Sequence, residues 1–297
     1  MTSTPTTSSR PVVLVTGAST GIGLELVRRL QRGHWHVVAT ARGTSLDRFA
    51  REGLAESSTF WIRELDVTDA AQREAVVAEI ETRHGALDSL VNNAGISWRA
   101  VTEQMPAAEQ EAQMRVNYLA PIELIRRVLP AMRARRRGHI INISSVGGMM
   151  AMPTMGAYSA SKFALEGASE SLWYELKPWG ISVTLLQPGF VRSDSFHNVL
   201  LPERAQRALA DPADPYHEYY RQMTRFVERL MGQSRSTAAD VACRVERILR
   251  TARPPLRTGG TTDATFFYLL RRLLPRPLYH WVLYRSLPRI RQWGPRP

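Results

Sequence analysis

Short apolar runs rich in β-branched residues alternate along the chain with longer stretches of helical spacing, and glycine often closes a run. VVLVTG (Val12 to Gly17) reads as a strand, and GLELVRRLQRG (Gly23 to Gly33) as a helix stopped by glycine. HVVATA, TFWIREL and LDSLVNN repeat the strand pattern, with helical SLDRFAREG and TDAAQREAVVAEIETRHG between them; the latter has Asp69 and Glu74 near its start. Such alternation builds a parallel sheet with helices on both faces.

After NNAG the pattern predicts one long helix over AAEQEAQMRVNYLAPIELIRRVLPAMRARR, then strand HIINISS, helix YSASKFALEGASESLWYELKPWG and strand ISVTLLQPG. A helix opening near Thr237 and a last strand at PLRTGG bring the count to about seven strands. The expected fold class is α/β, a Rossmann-like doubly wound parallel sheet in a single domain. Residues 1–10 read as a flexible tail and residues 11–263 as the domain. Residues 194–235, helical pieces cut by Pro202, Pro212 and Pro215, read as a lid over the cleft, and residues 264–297 as a basic amphipathic helical extension.

Composition narrows the setting. The single cysteine, Cys243, excludes an intramolecular disulfide and suits a reducing, cytoplasmic compartment. No run approaches the roughly 20 apolar residues of a spanning helix. Of the formal charge of +12, most lies at one end: from Val241 onward twelve arginines face only Glu246 and Asp263. Basicity confined to one end suits an anionic surface met by a tail, and no nucleic-acid partner is expected. No metal site is expected either.

The first chemical motif is TGASTGIG, Thr16 to Gly23, between the first strand and helix. Gly17, Gly21 and Gly23 supply a tight turn and room for a pyrophosphate at a helix N-terminus, with Ser19, Thr20 and Ile22 between them. At the end of the next strand Ala41 stands where an acid would hold a ribose 2′-hydroxyl, and Arg42 follows. Arg42 can pair a 2′-phosphate, with Thr20 adding a hydrogen bond, so NADP(H) is expected over NAD(H); the other reading of Arg42 is a solvated loop arginine. Asp66 can accept from an adenine amino group or help cap the helix near Asp69. Asn93, Ala94 and Gly95 suit a backbone that turns sharply beside a cofactor ribose, or a plain turn.

Tyr158 and Lys162, at i and i+4, share one helical face. A free phenol has a pKa of about 10, poor for neutral proton transfer. A neighbouring ammonium favours phenolate, so the pair is expected to be a tuned acid/base. Ser145, at a strand end on the cofactor side, could hold a substrate oxygen beside Tyr158. Asn117, polar in an apolar helical run, could anchor a water leading to Lys162. Singly each has an ordinary structural reading; together they form a constellation.

These motifs, TGASTGIG, NNAG, Asn117, Ser145, Tyr158 with Lys162, and Pro188-Gly189, resemble the classical short-chain dehydrogenase/reductases over roughly Pro11 to Thr258. SVGGMMAMP and YSASKFALEGASESL are most similar to the branch of 17β-hydroxysteroid dehydrogenase type 1 and photoreceptor-type retinol dehydrogenase. The resemblance implies that Tyr158 exchanges the substrate proton, that Lys162 lowers its pKa and holds the nicotinamide ribose, that Ser145 orients the carbonyl and that Asn117 supports the relay. It also implies that Val191 contacts the carboxamide, and a homodimer through the helices carrying Asn117 and Tyr158. Ser193 stands where many members have threonine.

The implied reaction interconverts an alcohol and its ketone or aldehyde on a small lipophilic substrate; the alternative is a catalytically silent NADP-binding sensor or scaffold. Met149 and Met155 supply adaptable apolar surface for such a ligand, and His217 and Tyr219 are lid candidates for a distal polar group. The extension, with seven arginines and no acid after Ala264 among its aromatic and leucine residues, suits peripheral contact with an anionic membrane or packing against the parent domain.

Overall fold

The computed structural model describes residues 10–192 and 199–294. Its strands are β1 (Val12–Val15), β2 (His36–Ala41), β3 (Phe60–Glu64), β4 (Ser89–Asn92), β5 (Gly138–Ile143), β6 (Ile181–Gln187) and β7 (Arg257–Gly259). All pair in parallel, in the order β3-β2-β1-β4-β5-β6-β7. The chain runs outward through β2 and β3, then returns to the other side of β1. That reversal opens a crevice at the carboxyl ends of β1 and β4.

The helices are α1 (Gly21–Gln31), α2 (Asp47–Arg51), α3 (Ala70–His84), α4 (Ala107–Met114), α5 (Ala120–Ala134), α6 (Gly156–Leu176), α7 (Glu203–Ala210), α8 (His217–Gln233), α9 (Ala238–Arg250), α10 (Thr262–Leu273) and α11 (Arg276–Ser286). Strand alternation divides the core into two layers. Val13, Val15 and Val37 pack with Leu26 and Leu30 of α1 and Val241 and Val245 of α9. Leu14, Leu90, Ile140 and Val183 pack with Val77 of α3 and Leu124 and Val128 of α5. Burying each such side chain contributes about 1.5–3 kcal/mol. Slipping a strand by one residue would exchange the two layers, so the core holds the strand ends in register.

Two expectations change. The long helix after NNAG is interrupted by a π-helical turn at Arg115–Leu119, between α4 and α5. Asn117 sits in that turn, and its amide is engaged with the loop after β4, a contact that an uninterrupted apolar helix face would not provide. The proposed boundary before Ala264 falls inside α10. Thr261 caps this helix and also accepts from the Gly189 N–H (2.8 Å), while Asp263 accepts from the Phe190 N–H (2.8 Å). The first turn of the extension is therefore bonded to the Pro188-Gly189 loop. At the start of α9, Thr237 and Asp240 form a reciprocal capping box.

Candidate active site

The strand ends open onto a cavity of about 1020 Å³. Gly17, Ser19, Thr20, Gly21 and Ile22 line one part of it. Gly17 is at φ 63°, and a Cβ there would lie 2.8 Å from the Ala94 Cα, so glycine is required both by conformation and by space. Gly23, expected as a contact, lies behind the wall: a Cβ on it would meet the Gly17 carbonyl oxygen at 2.5 Å. Its role is to let α1 close onto the loop. Thr20 is the N-cap of α1 without bonding the helix through its side chain, and no acid occupies the first turn. The helix end is thus suited to a phosphate.

The NNAG segment holds this loop in place. Asn93 Nδ2 donates to the Thr16 and Gly17 carbonyls (2.9 and 3.0 Å), while Thr16 Oγ1 accepts from the Asn93 and Ala94 N–H groups (both 3.0 Å). Ala94 and Gly95 also line the cavity, as do Arg42 and Asp66. Asp66 does not cap α3; Asp69 does, accepting from Ala71 N and Gln72 N. Asp66 Oδ1 instead accepts from the Thr68 N–H and hydroxyl, which holds the carboxylate at the cavity wall. Sequence reading missed Ser45 and Arg48, which join Arg42 on the same wall. It also missed Glu64, the register partner of Ala41 across β2 and β3, whose carboxylate lies against Gly43.

Ser145, Tyr158 and Lys162 meet on the opposite wall. Ser145 follows β5 and accepts from the Gly147 N–H at 3.0 Å. A Cβ on Gly147 would sit 2.9 Å from the Tyr158 ring, so this glycine lets the phenol lie against the serine loop. Lys162 donates to the Ile143 carbonyl at 2.9 Å and is almost fully buried. Burial pulls its pKa down to about 8, with Glu166 one turn along opposing the fall, so the amine carries its proton at pH 7.

Tyr158 departs from the expectation of a depressed pKa. Burial pushes the phenol above its ordinary value, against the opposing effect of a hydrogen bond with Ser145. Lys162 has committed a donor to Ile143, and its Nζ stands 5.9 Å from the centre of the Tyr158 ring. In the protein alone, Tyr158 is therefore a protonated phenol at neutral pH. Asn117 does not line the cavity. Its Oδ1 accepts from the Ile96 N–H (2.9 Å), and its Nδ2 donates to the Ile96 carbonyl (2.9 Å) and to Ser161 Oγ (3.0 Å). The side chain expected to anchor a water instead ties the loop after NNAG to α6.

Pro188, Gly189 and Val191 line the cavity; Ser193 lies outside the described residues. The remaining wall is apolar, with Trp98, Met150, Met152, Met155, Leu200, Val227 and Met231. Three expected substrate residues are elsewhere. Met149 packs against Val146, Ala264 and Phe267 beneath α10. His217 Nδ1 lies 3.2 Å from the Ala208 carbonyl oxygen, and Tyr219 stacks on Trp293. Both belong to the outer side of α8, whose inner face presents Val227 and Met231 to the cavity.

The residues fit a nicotinamide dinucleotide: a glycine cradle with no space for a Cβ, an open helix end, arginines beside the second strand, and a buried ammonium beside a phenol. Comparison with known proteins agrees. The family model described as short chain dehydrogenase matches residues 11–203. Retinol dehydrogenase 8 of Bos taurus is 34% identical over 300 residues, 95% of this chain and 93% of that one. A 3-ketodihydrosphingosine reductase of Bacteroides thetaiotaomicron is 32% identical over 273 residues, covering 92% and 96%. Among solved structures, a metagenomic short-chain oxidoreductase in complex with NADP is 38% identical, with a TM-score of 0.57, over 62% of this chain and 84% of that one.

Proposed function

The chain belongs to the short-chain dehydrogenase family and is an oxidoreductase acting between alcohols and carbonyl compounds; from that premise we propose that it uses NADP(H), acts on a lipophilic substrate and exchanges the substrate proton through Tyr158. The observation that carries the reading is the meeting of Ser145, Tyr158 and Lys162 on one wall of the cavity whose other wall is the glycine cradle.

The nicotinamide, when bound, supplies or accepts the hydride. The rest falls to this chain. In reduction, the neutral Tyr158 phenol gives its proton to the carbonyl oxygen, and the Lys162 ammonium stabilises the phenolate left behind. Ser145 orients the oxygen by hydrogen bonding. A positioned general acid contributes about 10²–10⁴-fold. Asn117 acts through position, by holding Ile96 and Ser161 on either side of the site.

Preference for NADP(H) rests on Arg42 and Arg48 around Ser45, with Thr20 free of helix capping. Two guanidinium groups outweigh the nearby Glu64 for a doubly charged 2′-phosphate. Lipophilic substrates are supported by the methionine-rich wall, and by the retinol and ketodihydrosphingosine in the names of the two relatives. The test is NADPH and NADH oxidation with retinal, steroid ketones and long-chain ketones. Turnover of at least one of these with NADPH, and markedly less with NADH, is expected; turnover confined to small polar carbonyls would contradict the substrate class.

Membrane contact through the extension is the second part of the proposal. Tyr279 packs inward, while Phe266, Leu269, Leu273, Trp281 and Tyr284 are exposed beside Arg271, Arg272, Arg276 and Arg285. Aromatic and leucine residues among arginines suit the interface of an anionic bilayer. Among the described residues no helix is long and apolar enough to cross a membrane. Sedimentation with phosphatidylserine vesicles at low salt should carry down the protein but not a Leu273→Glu, Trp281→Glu variant; a wild type left in the supernatant refutes this contact.

A further inference from the structure

The part of the cavity facing the lid has an apolar lining with one buried cation in it. Arg99 is 3% exposed and lines the cavity with Trp98, Met150, Met152, Met155 and Leu200. The only acid on the cavity wall among the described residues is Asp66, at the end of β3 on the cofactor side. Burying an arginine among apolar groups is costly, and it is retained where its charge is used. Burial lowers the Arg99 pKa only to about 10, so it stays charged at neutral pH.

The backbone around this cation is fixed from both sides. The Arg99 N–H donates to the Leu200 carbonyl (2.8 Å), the Leu200 N–H donates to the Ser97 carbonyl (2.9 Å), and Ala100 forms a parallel bridge with Met155. An Arg99 Nη donates to Thr154 Oγ1 at 3.2 Å. Thr154 stands at φ 65°, a left-handed conformation that a β-branched residue seldom adopts. Such strain persists where the surroundings over-determine it, and it clusters at ligand sites. Met155, next in the chain, is three residues ahead of Tyr158, so the cation and the reacting groups lie on one wall.

We propose that Arg99 is a specificity-determining residue that selects lipophilic substrates bearing a carboxylate in addition to the reacting carbonyl or alcohol. The planar guanidinium fork matches a carboxylate, and the methionine and tryptophan side chains around it accept the hydrocarbon between the two groups. The inference deepens the proposed function and rests on it for the chemistry at the carbonyl. Because the contact is the same in ground and transition states, its loss raises KM and leaves kcat nearly unchanged.

The test pairs a long-chain oxo fatty acid with its methyl ester, assayed by NADPH oxidation with wild type, Arg99→Met and Arg99→Lys. Wild type should favour the acid by about tenfold or more in kcat/KM, as expected for a hydrogen bond between charged groups. Arg99→Met should lose that preference through KM, with the ester unaffected, and Arg99→Lys should retain part of it. Equal use of acid and ester by wild type, or equal impairment of both by Arg99→Met, would overturn the proposal. Calorimetric binding of decanoate against decanamide, run in parallel, reads the same contact without turnover, and Arg99→Lys serves if Arg99→Met does not fold. Decanoate binding that depends on Arg99 in a protein that reduces no carbonyl would sink the oxidoreductase substrate reading and keep this one. Turnover with no preference for decanoate would do the reverse.

Discussion

The two halves of the cavity are built by different means. The cofactor half is backbone packed on backbone: Gly17 against Ala94, Gly23 against the Gly17 carbonyl, and Asn93 bonded to both carbonyls of the loop. The substrate half is assembled from segments far apart in the chain, with residues 97–101 bridged to Leu200 and Met155 and with α8 laid across them. Its contacts are side chains, and its fastenings are side-chain hydrogen bonds such as Tyr220 Oη to Gln104 Oε1 at 2.8 Å. A nucleotide that is always the same can be met by fixed backbone; a substrate that differs between relatives is met by exchangeable side chains on loops and a lid.

The contrast is broken most severely by Gly17→Val. The new side chain needs space occupied by Ala94, at a φ that β-branched residues rarely adopt, so NADPH binding by fluorescence titration should be abolished. Retained binding would mean that the cradle is not fixed by that contact. Arg42→Ala combined with Arg48→Ala should sharpen it: the KM for NADPH should rise by about 10–100-fold while that for NADH changes little, as for lost charged hydrogen bonds. Equal effects on both cofactors would show that these arginines do not read the 2′-phosphate.

A smaller effect should reach both halves alike. His139, buried at the start of β5, has its pKa lowered from 6.5 to about 4 by burial. Its folded pKa is below the unfolded one, so its contribution is complete above pH 6.5 and is lost as pH falls toward 4. The loss is about 3 kcal/mol. Urea unfolding of wild type and His139→Gln from pH 7 to pH 4 should show a shallower acid loss in the variant, with one cooperative transition for the whole domain. Parallel slopes would contradict the assignment, and separate transitions for the two halves would contradict the single core.

This division also explains what could be read in the chain beforehand. Strand-helix alternation, the glycine turn, NNAG and the Tyr158–Lys162 spacing are local patterns, and the fold places them at strand ends as a matter of topology. The class of fold and the wall of the cofactor half were therefore legible. Arg48 was not, because it lies beyond the strand end in a short helix whose approach to the cavity depends on tertiary packing. Met149, His217 and Tyr219 failed for a related reason: composition marked them as lid or apolar surface, but which face of a loop or helix turns inward is set by distant partners, Ala264 and Trp293 among them. Arg99 went unnoticed because nothing nearby in the chain foretells its burial. The pKa of Tyr158 was misjudged because Lys162 was assigned to the phenol alone, whereas the fold gives it the Ile143 carbonyl as well.

The central claim is that Tyr158 moves the substrate proton in a site that binds nucleotide independently of it. Single-turnover reduction with Tyr158→Phe, measured beside its NADPH affinity, tests this directly. The account predicts a rate lower by about 10²–10⁴-fold with NADPH affinity within about twofold of wild type. Reduction by the variant at close to the wild-type rate, with NADPH bound normally, would contradict it.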